Sequence, residues 1–182
     1  MVSVKIENIV ARARLANRFD LEEVSSKLIG SVYNPEQFEA VLYKLLSPRA
    51  AFLILKNGKV MCTGLTKIED IKEAYGQLAS MLSREGIEVK EVFDIELRGV
   101  VSSFDLNQEI DLEALVHLLE NDAEYDSDVV PAVVYHLPEP PSSALIFSNG
   151  KVVITGPKDL EETKVAVKKV IDTLVESGLA VV

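Results

Sequence analysis

The residues of this chain that could do chemistry are few, and they do not gather. His117 and His136 are isolated, with no neighbouring metal ligand. The single Cys62 excludes a disulfide framework and a cysteine-based zinc site, and its place in a strand pattern reads as a small core or face residue. No nucleophile motif and no Gly-rich phosphate loop is present. The pairs Gly58-Lys59 and Gly150-Lys151 stand in turn context, not that of a phosphate-binding loop. Carboxylates are plentiful, but they fall on helix surfaces. These groups predict binding rather than catalysis, with no cofactor and no metal.

The elements that would position a binding surface occur twice. Phe52 to Gly64 reads as an apolar run, Asn57-Gly58, and a second apolar run ending in Thr-Gly; Ala144 to Gly156 repeats this around Asn149-Gly150. Asn and Gly tolerate positive φ at low cost, so both pairs read as tight hairpin turns. Around them the pattern predicts a strand from Val4, a short helix capped by Asp20 and stopped by Gly30, and a strand over Ala40 to Leu45. A helix opened by a capping box at Thr66 to Glu69 carries Ile68, Ile71, Tyr75, Leu78 and Leu82, and ends at Gly86. The second half retells this with Leu97 to Ser103, Asp111, Ala132 to Tyr135, Pro140 in the place of Pro48, and Gly178. The offset is 91 early and 92 after one insertion near 114–124. The expectation is two α+β repeats, 1–91 and 92–182, each strand–helix–three strands–helix, related by a pseudo-twofold.

Composition fits a folded chain: 48% apolar residues among 182. The net charge of −10 argues against a generic polyanion binder. It is unevenly spread, with 13 basic against 12 acidic residues in 1–91 and 6 against 17 in 92–182. Any nucleic-acid contact is therefore expected to be local and shape-driven. No signal-peptide layout and no membrane-spanning apolar run is present, so an intracellular, soluble protein is expected.

Period-2 alternation places Asn8, Val10, Arg12, Leu53, Leu55, Met61 and Thr63 on one strand face, with Gly99, Val101, Ser103, Leu145, Phe147, Val153 and Thr155 in the second repeat. The opposite face carries Ile9, Ala11, Ile54, Val60 and Cys62, with Val100, Ile146, Val152 and Ile154. Both faces are largely apolar, whereas two helices per repeat can cover only one. Either a second sheet buries the other face, or it is open and binds something wide, mildly apolar and not cationic.

Asn34-Pro35-Glu36-Gln37-Phe38 before the first hairpin, Tyr125-Asp126 to Pro131 before the second, and the repeated Asn-Gly-Lys-Val and Thr-Gly pieces resemble the TATA-box-binding protein family in its archaeal form, over nearly all 182 residues. That resemblance implies a saddle: a curved ten-stranded antiparallel sheet, concave side on DNA and four helices on the convex side. It implies a general transcription initiation factor that binds and bends A·T-rich promoter DNA through the minor groove and recruits transcription factor B and RNA polymerase. The setting implied is the nucleoid of an archaeal cell's cytoplasm. Covering the same apolar face by self-dimerisation of the free protein is a further option.

Site roles implied by the resemblance match unevenly. Phe38 with Leu55, and Val130 with Phe147, stand at the wedge positions, so each repeat keeps one phenylalanine of two. Asn8 matches the central Asn of the first strand, and Gly99 replaces its counterpart. Val10, Leu53, Met61, Thr63, Val101, Leu145, Val153 and Thr155 match groove contacts; Lys44, Arg49, Lys59, Lys151 and Lys158 match phosphate contacts. His136 and Pro141 stand where basic residues are usual, and Glu39 puts a negative charge beside Phe38. Asp126, Asp128 and Val129 match the contact to transcription factor B. These departures leave a second reading, an interaction module with weakened or lost autonomous DNA binding.

Overall fold

The computed structural model describes residues 2–91 and 94–182; Val92, first residue of the expected second repeat, lies outside the described residues. Two compact units are formed, one of Asn8–Arg98 and one of Met1–Glu7 with Gly99–Val182.

In the first unit, β1 (Lys5–Arg14, shared at its start with the other unit) is followed by α1 (Leu21–Lys27), β2 (Val32–Tyr33), β3 (Ala40–Leu46), β4 (Arg49–Leu55), β5 (Lys59–Leu65) and α2 (Glu69–Arg84). The strands pair antiparallel in the order β2-β3-β4-β5-β1. The second half continues with β6 (Ile95–Asp105), α3 (Leu112–Leu119), a 3-10 turn (Glu120–Asp122), β7 (Ala123–Glu124), β8 (Ala132–Leu137), β9 (Ser142–Phe147), β10 (Lys151–Thr155) and α4 (Leu160–Glu176). Here the order is β6-β10-β9-β8-β7, again antiparallel. The strand–helix–three strands–helix pattern thus gains a two-residue edge strand in each half, β2 and β7. The 3-10 turn falls where the offset between halves changes from 91 to 92.

Local chemistry explains the element ends. The Asp20 carboxylate accepts from the N–H groups of Glu22 and Glu23 at 3.1 and 3.3 Å, and Asp111 accepts from Ala114 at 3.0 Å. The capping box expected at Thr66 does not form: α2 starts after Ile68, which makes no side-chain cap bond. Both long helices close alike. The N–H of Ile87 donates to Leu82 O and that of Leu179 to Leu174 O, each at 3.0 Å, past Gly86 and Gly178.

The two Asn-Gly pairs form the hairpin turns expected, in a three-residue form. Each loop holds three residues, with Gly58 N–H donating to Leu55 O at 3.1 Å and Gly150 N–H to Phe147 O at 3.0 Å. Only the glycines have positive φ, +88 and +91. The asparagines instead turn inward on their own loops, their Oδ1 atoms accepting from Lys59 N–H and Lys151 N–H at 3.0 and 3.1 Å. This is the three-residue hairpin with a glycine at the left-handed position.

One face of each sheet carries the core. In the first unit Phe52, Ile54, Val60 and Cys62 are fully buried, and Tyr75 of α2 meets Phe52 edge-on at 5.5 Å while its hydroxyl donates to Val60 O at 2.8 Å. Burial pushes the Cys62 thiol up to about 12, so it is an inert core group. In the second unit Val133, Ile146, Val152 and Ile154 pack with Leu115 of α3 and Ala166, Val170 and Leu174 of α4. Each large apolar side chain so buried contributes about 1.5–3 kcal/mol.

One core group is unsatisfied. The Ser102 hydroxyl is fully buried and has no hydrogen-bond partner among the described residues, and the residue 91 positions earlier is Ala11, also buried. Ser102→Ala is therefore expected to raise stability by about 1 kcal/mol, seen as a melting temperature about 2–4 °C higher. A lower melting temperature would contradict this account.

Candidate functional site

The opposite face of each sheet is open. Asn8, Val10, Arg12, Leu53, Leu55, Met61 and Thr63 in the first unit are all half-exposed, and so are Gly99, Val101, Leu145, Phe147, Val153 and Thr155 in the second. Ser103 alone of the fourteen is buried. The alternation is therefore as read from the sequence, and the alternative of a second sheet covering this face is not realised.

Ladder register adds members that alternation in the hairpins missed. Leu42 pairs with Leu53 and Lys44 with Ala51; Val134 pairs with Leu145 and His136 with Ser143. Leu46, opposite Arg49 at the strand end, is 89% exposed. Lys44 and His136 follow from the family resemblance; finding Leu42, Leu46 and Val134 requires knowing how β3 registers on β4 and β8 on β9, which no strand reveals alone.

The wedge candidates lie at matching places. Ala40 pairs with Leu55 and Ala132 with Phe147, and Phe38 and Val130 each stand two residues before those alanines. The backbone N–H of Phe38 donates to Asn34 O at 2.9 Å, and that of Val130 to Asp126 O at 3.0 Å, so both loops turn in the same way. Phe38 is 55% exposed.

Asn8 is held by β5. Gly64 N–H donates to its Oδ1 at 2.7 Å and its Nδ2 lies 3.0 Å from Thr63 Oγ1. The oxygen is thereby committed to the protein, which leaves amide N–H as what Asn8 can offer outward. Gly99, at the counterpart position of Asn8, has no side chain with which to hold Thr155 in this way.

Of the basic candidates, Lys44, Arg49, Lys59 and Lys151 lie on strands in register with the open face, all exposed except the half-exposed Lys59. Lys158 precedes α4, where its backbone N–H donates to Glu162 Oε2 at 2.8 Å, and its side chain is exposed. Arg14 Nη1 donates to Asn57 O at 2.6 Å and fastens the first hairpin loop. His136 Nδ1 lies 3.1 Å from Ser143 Oγ and its Nε2 is 3.8 Å from Glu124, so the residue in an expected basic place leans on a carboxylate. Asp126, Asp128 and Val129 form an exposed turn in which Asp128 N–H donates to Asp126 Oδ1 at 3.1 Å.

Two carboxylates also reach the open side, although none was expected there. Ser103 Oγ donates to Glu7 Oε1 at 2.6 Å, which together with Lys5 and Lys151 holds that carboxyl below its usual value. Glu96 binds Arg12 at 3.0 Å and Arg98 at 3.1 Å, and those guanidinium groups lower it likewise. Arg12 is thus engaged inside its own unit.

Among the described residues no cluster could hold a metal, and no helix is long and apolar enough to cross a membrane. The chain forms two α+β units, each with one packed sheet face and one open, apolar face edged by cations. A sequence profile of the family described as transcription factor TFIID, or TATA-binding protein, matches residues 3–84 and again 94–177. The TATA-box-binding protein of Methanothermobacter thermautotrophicus is 40% identical over 98% of each chain, and TATA-box-binding protein 2 of Methanosarcina mazei 38% over 97% of each. The structure of Methanococcus jannaschii TBP superposes with a TM-score of 0.87 at 38% identity, covering 96% of this chain and 99% of that one. The chain belongs to the TATA-binding protein family, a family of general transcription factors, and has its fold.

Proposed function

We propose that this chain binds A·T-rich promoter DNA of the TATA type through the minor groove, bends it, and recruits transcription factor B and through it RNA polymerase. The observation that carries this reading is the open, apolar sheet face of each unit, edged by Lys44, Arg49, Lys59 and Lys151. The minor groove at A·T pairs displays only acceptors, which suits a smooth apolar surface with a few donors such as the Asn8 amide. Phe38 and Phe147, with Leu55 and Val130 as smaller partners, act as wedges. Apolar wedges unstack and kink base steps, and this family is itself the standard example of that behaviour. The repeats 1–91 and 92–182 each supply one kink, flexible TA steps lower its cost, and the turn of Asp126, Asp128 and Val129 takes transcription factor B.

A mobility-shift assay with a TATA duplex tests the proposal. A retarded band is expected, with a shallow salt dependence because few cations face the groove. No retardation at low salt with transcription factor B present would overturn it. The second reading, an interaction module without autonomous DNA binding, is favoured by the replacement of two wedge positions by Leu55 and Val130. Joint Leu55→Phe and Val130→Phe substitution separates the two. Groove binding predicts tighter retardation by about tenfold, since each restored aromatic adds stacking. Unchanged DNA affinity beside tight binding of a protein partner supports the module.

A further inference from the structure

The alternation of β1 breaks between Glu7 and Asn8. Val4 and Ile6 turn toward α4, lining a groove of about 490 Å³ with Leu160 and Val167. Glu7 and Asn8, although adjacent in sequence, both reach the open side. Asn8 does so beside Thr63, and Glu7 beside Ser103, whose ladder partner Val153 is on the open face. The Glu7 carboxylate explains why Ser103 is 5% exposed when its neighbours on that face are not: it lies over the hydroxyl. The side chain keeps 34% of its surface in solvent, and Lys5 Nζ stands 3.6 Å from the second oxygen.

An ionised carboxylate only accepts hydrogen bonds. A·T pairs show the minor groove acceptors alone, so Glu7 opposite such a pair meets repulsion and no partner. A G·C pair adds one donor there, the guanine N2 amino group. We infer that Glu7 is a specificity-determining residue that selects a G·C pair at one position of an otherwise A·T-rich site. The inference rests on the groove-binding reading above. The preference is one-sided, because the residue 91 positions on is Arg98, a donor, so only one half of a near-symmetric site receives an acceptor.

Competition binding tests this with a TATA duplex and a panel in which each A·T pair is singly replaced by G·C, using the wild-type chain and Glu7→Gln. The wild type is expected to prefer G·C at one position, and Glu7→Gln to lose that preference by about fivefold or more. Inosine in place of that guanine removes the amino group and should abolish the preference in the wild type only. Equal strengthening of every duplex by Glu7→Gln, or indifference to inosine, overturns the inference and makes Glu7 a mere repelling charge. If the TATA duplex is retarded but no panel position depends on Glu7, this inference alone falls. If no duplex is retarded by either protein, it falls together with the groove-binding reading.

Discussion

Joint replacement of Phe38 and Phe147 by alanine is expected to weaken retardation of a TATA duplex by about a hundredfold or more while leaving the fold intact. Phe38 is 55% exposed on a turn closed by its own backbone, and Phe147 is half-exposed at the end of β9. Neither belongs to the packed face, so truncation leaves no buried cavity and the thermal melt should hardly move. In the complex the loss is large because unstacking a base step costs a few kcal/mol, offset only where an aromatic takes the place of the lost neighbour. An aromatic stacked on a base contributes about 1–3 kcal/mol, and two such losses reach the hundredfold range. The matching pair Leu55→Ala and Val130→Ala should cost less, about tenfold, because aliphatic wedges forfeit less stacking. Equal loss in both double variants would mean that the aromatics are not wedges, and retention of a full shift by the phenylalanine pair would remove wedging altogether.

That asymmetry was legible in the sequence because it depends on residue types at repeated positions. The fold was legible for a related reason: Ile9, Ile54, Val60, Ile146 and Ile154 alternate with the open set, and the hairpins recur at one spacing, so strand faces and repeat order follow from periodicity. The resemblance then supplied the strand count, which periodicity alone left at four per repeat. β2 and β7 have two residues each, too short for any alternation.

The misses have physical causes as well. Alternation carried back from Asn8 assigns Glu7 to the packed face, yet Ser103 holds its carboxylate on the open one. A strand irregularity breaks the period without leaving a glycine or proline to mark it. Glu96 was missed because the strand begins at Ile95, two residues before the pattern suggested, and Arg12 recruits it from across the sheet. The capping box at Thr66 had the right spacing and no partner, since α2 opens through a turn in which Asp70 N–H donates to Lys67 O instead. Side-chain pairing across a sheet is non-local, and one-dimensional patterns do not encode it.

The hairpin glycines yield the second large effect, this time on stability. Gly58→Ala is expected to lower stability by about 3 kcal/mol or more, while Gly30→Ala costs about 1 kcal/mol. Both residues lie at nearly the same left-handed φ, +88 and +90, so the backbone penalty for an L side chain is common to them. Their surroundings differ. A Cβ on Gly58 would stand 1.9 Å from the carbonyl oxygen of Ala16, whereas nothing lies within 4 Å of one on Gly30. That close approach exists because Gly58 O accepts from Leu15 N–H at 2.9 Å, which pins the end of β1 onto the hairpin loop. Backbone cannot yield as a flexible side chain would, so relief requires parting the loop from the segment that follows β1 and giving up that bond. With about 2–4 °C per kcal/mol for a chain of this size, Gly58→Ala should melt about 6 °C or more lower, and Gly30→Ala about 2–4 °C lower. Gly150 repeats the arrangement against Gln108 O at 2.2 Å and should behave like Gly58. Equal melting of the Gly58 and Gly30 variants would show that φ alone requires these glycines, and that the loop contact adds nothing.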